Sequence, residues 1–184
     1  MVITLIGYRG SGKTTVARSL AARLGWSWID ADAVIEEAAG CSIKEIFAAE
    51  GEPGFRDRER RAIAELLTRD ELVLAAGGGA ILNPLTRREM KAAGPVVWLQ
   101  ASVVELAARI DSDPATAGRR PNLAGGGIDE IRRLLAEREP LYRECASVSI
   151  ETDRLEVSEI VERIAVAVGG ALKKGVVNEG SGPA

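Results

Sequence analysis

There is no histidine among the 184 residues of this chain. That absence excludes a Ser-His-Asp triad, a Cys-His dyad, imidazole acid–base chemistry and any histidine-ligated metal site. Cysteine is scarce as well: Cys41 and Cys145 are too few for a disulfide scaffold or a four-cysteine zinc site. Neither sign of charge dominates. Lys and Arg number 24 against 27 Asp and Glu, for a net charge of -3 and a pI of about 5.3, so bulk charge carries no nucleic-acid footprint. No apolar run approaches the roughly 20 residues that span a bilayer. The apolar opening, residues 1–6, lacks a basic n-region and meets Gly7 at once, which argues against a signal peptide. The expectation is a cytoplasmic protein with reduced thiols, binding neither nucleic acid nor membrane. Chemistry is left to carboxylates, Lys and Arg, hydroxyls, backbone amides and an imported cofactor.

What is present reads as an ordinary globular chain, 46% hydrophobic and 28% charged. The length suits one domain, expected over residues 1–170, with 171–184 as a flexible tail. Short apolar runs at 2–6, 27–30, 72–75, 96–99 and 148–151 predict strands covered on both faces. Amphipathic patterns at 13–24, 55–67, 128–142 and 157–168 predict helices between them. Ser42 with Glu45, and Ser102 with Glu105, fit capping boxes. This alternation implies an α/β fold, a three-layer α/β/α arrangement on a central five-stranded parallel sheet. The segment 111–127, with two prolines, four glycines and a pair of arginines, breaks the periodicity and suits a mobile lid.

Residues Gly7-Tyr8-Arg9-Gly10-Ser11-Gly12-Lys13-Thr14 match G-x-x-x-x-G-K-[ST] in full, between a strand and a helix. Glycines let backbone N–H groups turn inward around a phosphate, and the helix N-terminus adds positive potential. Lys13 is expected on the β/γ-phosphates and the Thr14 hydroxyl on Mg²⁺. Phosphoryl transfer needs positioning and charge more than a strong base, so it tolerates the absence of histidine.

Three further clusters bear on the acceptor. Asp30-Ala31-Asp32 ends the second strand, and two residues apart on a strand share a face, so both carboxylates could meet a ligand. The other reading makes Asp32 a helix N-cap. Gly51–Glu59 reads by itself as a helix start with solvated i,i+3 and i,i+4 ion pairs. Gly77-Gly78-Gly79, directly after the third strand, reads as backbone approaching a ligand or as a flexible loop.

Taken together with Phe55-Arg56, Arg120-Pro121 and Leu134–Tyr142, these clusters resemble shikimate kinase, a P-loop kinase family of nucleoside monophosphate kinase-like fold. The likeness runs from residue 2 to about 168. It implies transfer of phosphate from ATP to the 3-hydroxyl of shikimate, a step in aromatic amino-acid biosynthesis, by a monomer using Mg²⁺. The catalytic residues it implies are Lys13, Asp32 and Arg120. ATP would meet Gly10, Ser11, Gly12, Lys13, Thr14, Thr15, Arg109, Arg120 and Arg154. Mg²⁺ would be held by Thr14 and, through water, Asp30. Shikimate would meet Asp32, Gly77, Gly78 and Gly79, with Arg56 and Arg138 clamping its carboxylate by planar guanidinium forks. The family lid motif usually reads R-P-L-L; here Asn122 follows Pro121, and Arg119 competes with Arg120 for the phosphate. Gluconate or a nucleoside monophosphate is the rival acceptor, and a non-catalytic ATP-binding module the rival class. Tyr8 sits at an x position and has no assigned role. Cys41 and Cys145 read as structural, and Trp26, Trp28 and Trp98 as packed.

Overall fold

The first, third and fourth strands are largely apolar runs because their alternate residues serve two different cores, whereas the edge strands at 27–30 and 148–151, expected to be covered on both faces, leave Ser27, Trp28, Ser149 and Glu151 exposed. In the first strand Val2 and Ile6 join one cluster, while Ile3 and Leu5 join another. The third strand divides in the same way, Leu72 and Leu74 against Val73 and Ala75, and the fourth divides Val96 and Trp98 from Val97 and Leu99. The structure, a computed structural model, describes residues 1–112 and 127–175, with backbone alone over 171–175. Arg119, Arg120 and Asn122 therefore lie outside the described residues, as do most of the expected lid and the end of the tail.

The elements run β1 (Val2–Ile6), α1 (Lys13–Leu24), β2 (Ser27–Asp30), α2 (Ala31–Ala39), α3 (Ile43–Leu66), β3 (Leu72–Ala75), a 3₁₀ turn (Ala80–Leu82), α4 (Pro84–Ala93), β4 (Val96–Gln100), α5 (Val103–Ser112), α6 (Gly127–Cys145), β5 (Val148–Glu151) and α7 (Val157–Gly175). The strands form one five-stranded sheet in the order β2-β3-β1-β4-β5, every neighbouring pair parallel. One face is covered by α1 and α7 through Val16, Leu20, Ile160 and Ile164. The other is covered by α3, α4 and α6 through Ile63, Leu66, Met90 and Tyr142. This is the three-layer arrangement expected, with β1 at its centre.

Several local expectations shift. Residues 43–66 form a helix broken at Gly51, whose φ of 68° and ψ of -175° no β-carbon-bearing residue adopts easily. The Ser42–Glu45 box is complete: Glu45 N–H donates to Ser42 Oγ at 3.3 Å and Ser42 N–H to Glu45 Oε2 at 2.8 Å. The second box is only half formed. Glu105 N–H donates to Ser102 Oγ at 3.2 Å, but Ser102 N–H donates to Asp153 because the Glu105 carboxylate holds Arg109. Helix α4 was not anticipated, although Asn83-Pro84 supplied its signal: the Asn83 side chain accepts from Leu85 N–H at 2.8 Å and proline occupies the first turn. Asp111 and Ser112 end α5 and Gly127 opens α6, so the ends of the expected loop are helical. Trp98 packs as expected, but Trp28 is 39% exposed because β2 is an edge strand.

Candidate active site

The C-terminal ends of β1, β2 and β3 are brought level by their register, Leu5 beside Ala75 and Ala75 beside Asp30. A cleft of about 300 Å³ opens there. Crevices outside strand C-termini, where the strand order reverses, are where open parallel sheets bind ligands.

One wall is the loop from Gly7 to the start of α1. Gly7 has φ 147°, and a β-carbon on it would stand 2.5 Å from Leu99 O, so this position admits glycine alone. No side chain caps α1; its N-cap is Gly12 in the left-handed conformation. The first-turn amides and the helix dipole therefore face the cleft with glycine at their end. Lys13 Nζ donates to Gly7 O and Tyr8 O, both at 2.9 Å, which holds the ammonium over the loop. Gly10, Thr14 and Thr15 also line the cleft. Ser11 is buried against Gly7.

The second wall holds the carboxylates. Thr14 Oγ1 donates to Asp30 Oδ2 at 2.6 Å, and Asp30 Oδ1 accepts from Asp32 N–H at 3.0 Å. The cap of α2 is thus Asp30, not Asp32. The strand stops at Asp30 and Asp32 is the second residue of the helix, so the two carboxylates converge through a cap rather than through strand alternation. Both line the cleft. Among the described residues no group of three or more His, Cys, Asp and Glu is arranged to hold a metal. A hydroxyl and a carboxylate in contact are hard oxygen donors. They suit a small divalent cation that arrives with a phosphate and keeps some of its water, rather than one held in an all-protein cage.

The third wall is the glycine run. Gly77 and Gly78 line the cleft, and residues 72–80 are all buried, which removes the reading of a flexible loop. A β-carbon on Gly78 would approach Gly7 O at 3.3 Å and Arg9 N at 3.5 Å; one on Gly79 would stand 2.4 Å from Arg56 Nη1. Arg56 is therefore seated on the glycine backbone. It donates to Glu59 Oε2 at 2.6 Å and to Glu52 Oε1 at 3.0 Å. The i,i+3 and i,i+4 pairs anticipated in this helix both form, but Glu59 is 2% exposed, so the first is buried rather than solvated. Burial pulls the Arg56 guanidinium down, and the two acid partners outweigh it and hold the group above its ordinary value.

Arg138 lies over the Tyr8 ring, 5.8 Å from its centroid, a cation–π geometry. Tyr8 is buried, packed with Leu106, Ile110, Ile131 and Leu134. Burial pushes its phenol up, against the lowering effect of the Arg9 and Arg138 charges. A motif leaves its x positions open, so no sequence signal marks Tyr8. Arg109 lines the cleft and is braced by Glu105 at 2.8 Å, Thr152 Oγ1 at 3.1 Å and Thr152 O at 3.1 Å. Arg154 stands in a turn at φ 60°. Arg56, Gly79, Arg138 and Arg154 fall outside the lining of the cleft, whereas Arg9, which the sequence did not single out, is part of it.

The model of the shikimate kinase family matches residues 9–168. The chain belongs to the shikimate kinase family. A shikimate kinase of Rhodopirellula baltica is 43% identical over 169 residues, 91% of this chain and 90% of that protein. One from Francisella tularensis subsp. novicida is 45% identical over 167 residues, 88% of this chain and 91% of its relative. Among solved structures, the shikimate kinase of Acinetobacter baumannii in complex with shikimate superposes with a TM-score of 0.86 at 39% identity, covering 93% of this chain and 94% of that one. A gluconokinase of Sinorhizobium meliloti shares the fold only, at 18% identity and a TM-score of 0.57. Family membership thus sets aside the gluconate alternative and establishes an ATP-dependent kinase. Of the residues singled out by the motifs within the described segments, Gly10, Gly12, Lys13, Thr14, Thr15, Asp30, Asp32, Gly77, Gly78 and Arg109 line one cleft.

Proposed function

We propose that this chain transfers the γ-phosphoryl group of ATP to the 3-hydroxyl of shikimate, giving shikimate 3-phosphate and ADP. The observation that carries the reading is the Asp30 carboxylate, which accepts from Thr14 Oγ1 on the phosphate-binding wall and from the Asp32 backbone N–H on the carboxylate wall, and so joins the two. ATP phosphates lie on the amides of residues 10–15, with Lys13 neutralising the charge that develops on the transferred group. Thr14 and, through water, Asp30 would hold Mg²⁺, which would supply charge neutralisation on the phosphate oxygens. Asp32 orients the acceptor hydroxyl and accepts its proton. Arg56 and Arg138 receive the acceptor carboxylate, and the Gly77–Gly79 backbone sets how closely the ring approaches. Arg109 and Arg154 border the nucleotide base, and Arg120 is assigned to the transferring phosphate from its place in the family motif. All these roles fall on a single chain, so a monomer suffices, working in the cytoplasm where ATP is supplied.

The test is a coupled ADP-release assay with shikimate and Mg²⁺. The reading predicts shikimate-dependent ADP release. Folded protein that releases no more ADP with shikimate than without it overturns the assignment.

A further inference from the structure

Helix α6 sends two side chains, four residues apart on one face, to the back of the site. Arg138 reaches the phosphate loop over Tyr8. Tyr142 reaches the glycine run: its hydroxyl donates to Gly78 O at 2.6 Å, a buried bond between residues 64 apart in sequence. Tyr142 is fully buried, and its ring stacks on Trp98 with centroids 5.6 Å apart and planes inclined by 20°. Trp98 in turn is paired in register with Ile6, the residue before the phosphate loop. The hydroxyl is thus tied to the centre of the sheet.

The consequence lies in the peptide it holds. The Gly78–Gly79 bond is trans, as are all the described peptide bonds. In a planar trans peptide the C=O and the following N–H point in opposite directions. A carbonyl drawn toward Tyr142 therefore turns the Gly79 N–H away from α6. Two adjacent glycines have the widest choice of backbone rotation, so without an external partner this peptide would be the least determined in the wall. Gly79 is also the seat of the Arg56 guanidinium. One bond therefore sets the direction of an amide directly against the guanidinium that Glu59 and Glu52 hold.

We propose that Tyr142 is a positioning residue for the acceptor: its hydrogen bond to Gly78 O fixes the Gly78–Gly79 peptide, and so the Gly79 amide that, beside the Arg56 guanidinium, receives an anionic polyol. The inference rests on the reading that the acceptor lies against this backbone. A merely structural Tyr142 would stabilise the core and treat both substrates alike. A positioning Tyr142 acts on the acceptor and spares the nucleotide, whose loop is held by α1 and Lys13.

The experiment compares Tyr142→Phe, which keeps the ring and its stacking and removes only the hydroxyl, with Trp98→Phe, which trims the packing and keeps the hydroxyl. Steady-state kinetics are measured with shikimate and ATP varied separately, alongside thermal melting. Tyr142→Phe is expected to raise the KM for shikimate about tenfold, one decade in an equilibrium constant, with the KM for ATP within about twofold. Trp98→Phe is expected to lower the melting temperature and leave both KM values within about twofold. An unchanged shikimate KM in Tyr142→Phe, or equal changes for both substrates, overturns the inference while leaving the kinase assignment intact. A wild-type protein without shikimate turnover overturns the kinase assignment and this inference with it. Because the chain has only two tyrosines, fluorotyrosine labelling provides a readout free of folding effects, with Tyr8→Phe assigning the resonances. The Tyr142 ¹⁹F signal is expected to move on adding shikimate, and a signal that stays in place refutes the clamp.

Discussion

Replacing Arg56 by methionine removes a counter-ion of Glu59, and the size of the effect follows from the burial of that carboxylate. Glu59 is 2% exposed and pairs with Arg56 at 2.6 Å. At an effective dielectric near 20, such a pair is worth about 4 kcal/mol of Coulomb attraction. Once the guanidinium is gone, Glu59 can escape the loss by taking up a proton. The cost of doing so at pH 7 from an ordinary glutamate value near 4.3 is about 2.7 pH units at 1.36 kcal/mol each, roughly 3.7 kcal/mol. That is a ceiling on the buried-charge cost, and it depends on pH. In the variant, burial raises the folded-state pKa of Glu59. A group with a raised folded pKa contributes its full stability below the unfolded value and loses it as pH rises toward the folded one. The deficit of Arg56→Met relative to wild type should therefore be about 3–4 kcal/mol at pH 7 and shrink to about 1 kcal/mol at pH 5. The second partner, Glu52, is 45% exposed and adds less than about 1 kcal/mol, with little pH dependence in this range. Urea denaturation at pH 5, 6, 7 and 8 measures the difference, and at pH 7 the melting temperature should fall by about 6–15 °C for a chain of this size. A deficit equal at pH 5 and pH 7 would refute the argument, because it would mean that the carboxylate is not the seat of the cost. In the same variant, loss of one charged partner should weaken shikimate binding by about 2–5 kcal/mol; unaltered shikimate affinity would remove Arg56 from the carboxylate clamp.

Asp32→Asn keeps the shape of the acceptor wall and removes its proton acceptor, so turnover should fall by a factor of about 10²–10⁴ while titrated ATP binding survives; normal turnover would strip Asp32 of its role. Gly79→Ala places a methyl 2.4 Å from Arg56 Nη1, a guanidinium that Glu59 keeps from moving aside. Overpacking there should cost about 1–3 kcal/mol and weaken shikimate but not ATP, and a variant with normal affinity for both would show that the contact yields easily. Burial raises the Cys145 thiol from 9.0 to about 11. Its contribution is complete below pH 9 and disappears as pH climbs toward 11, about 2.7 kcal/mol for the two units. The stability gap between wild type and Cys145→Ala should narrow by that amount across the window in chemical denaturation, and a constant gap would contradict it.

The phosphate loop was readable because its chemistry is local. Eight consecutive residues determine which amides turn inward, and their spacing does not depend on what packs above them. The three inner strands were readable for a related reason, since a nearly continuous apolar run has burial on both faces as its natural explanation; the edge strands at 27–30 and 148–151 keep exposed positions. The pattern marks Asp30 and Asp32 but not their geometry, because a strand end and a helix start differ by one residue and the cap decides between them. Arg56 was found only through its family pattern; by spacing alone its helix reads as a solvated charged surface.

What only the tertiary structure decided are the relations between distant segments. Whether Glu59 is a surface charge or a buried counter-ion depends on the elements laid over it, and the dielectric that results makes the pair worth several kcal/mol instead of a fraction of one. Tyr8 beneath Arg138 joins residues 130 apart, and no periodicity connects them. Tyr142 on Gly78 bridges the last third of the chain to the third strand. The lack of histidine was legible from the first line and limits the chemistry to carboxylates, cations and hydroxyls. Their arrangement into three walls around one cleft comes from the parallel sheet, which brings three strand ends level and lets short-range forces act between residues the chain itself keeps far apart.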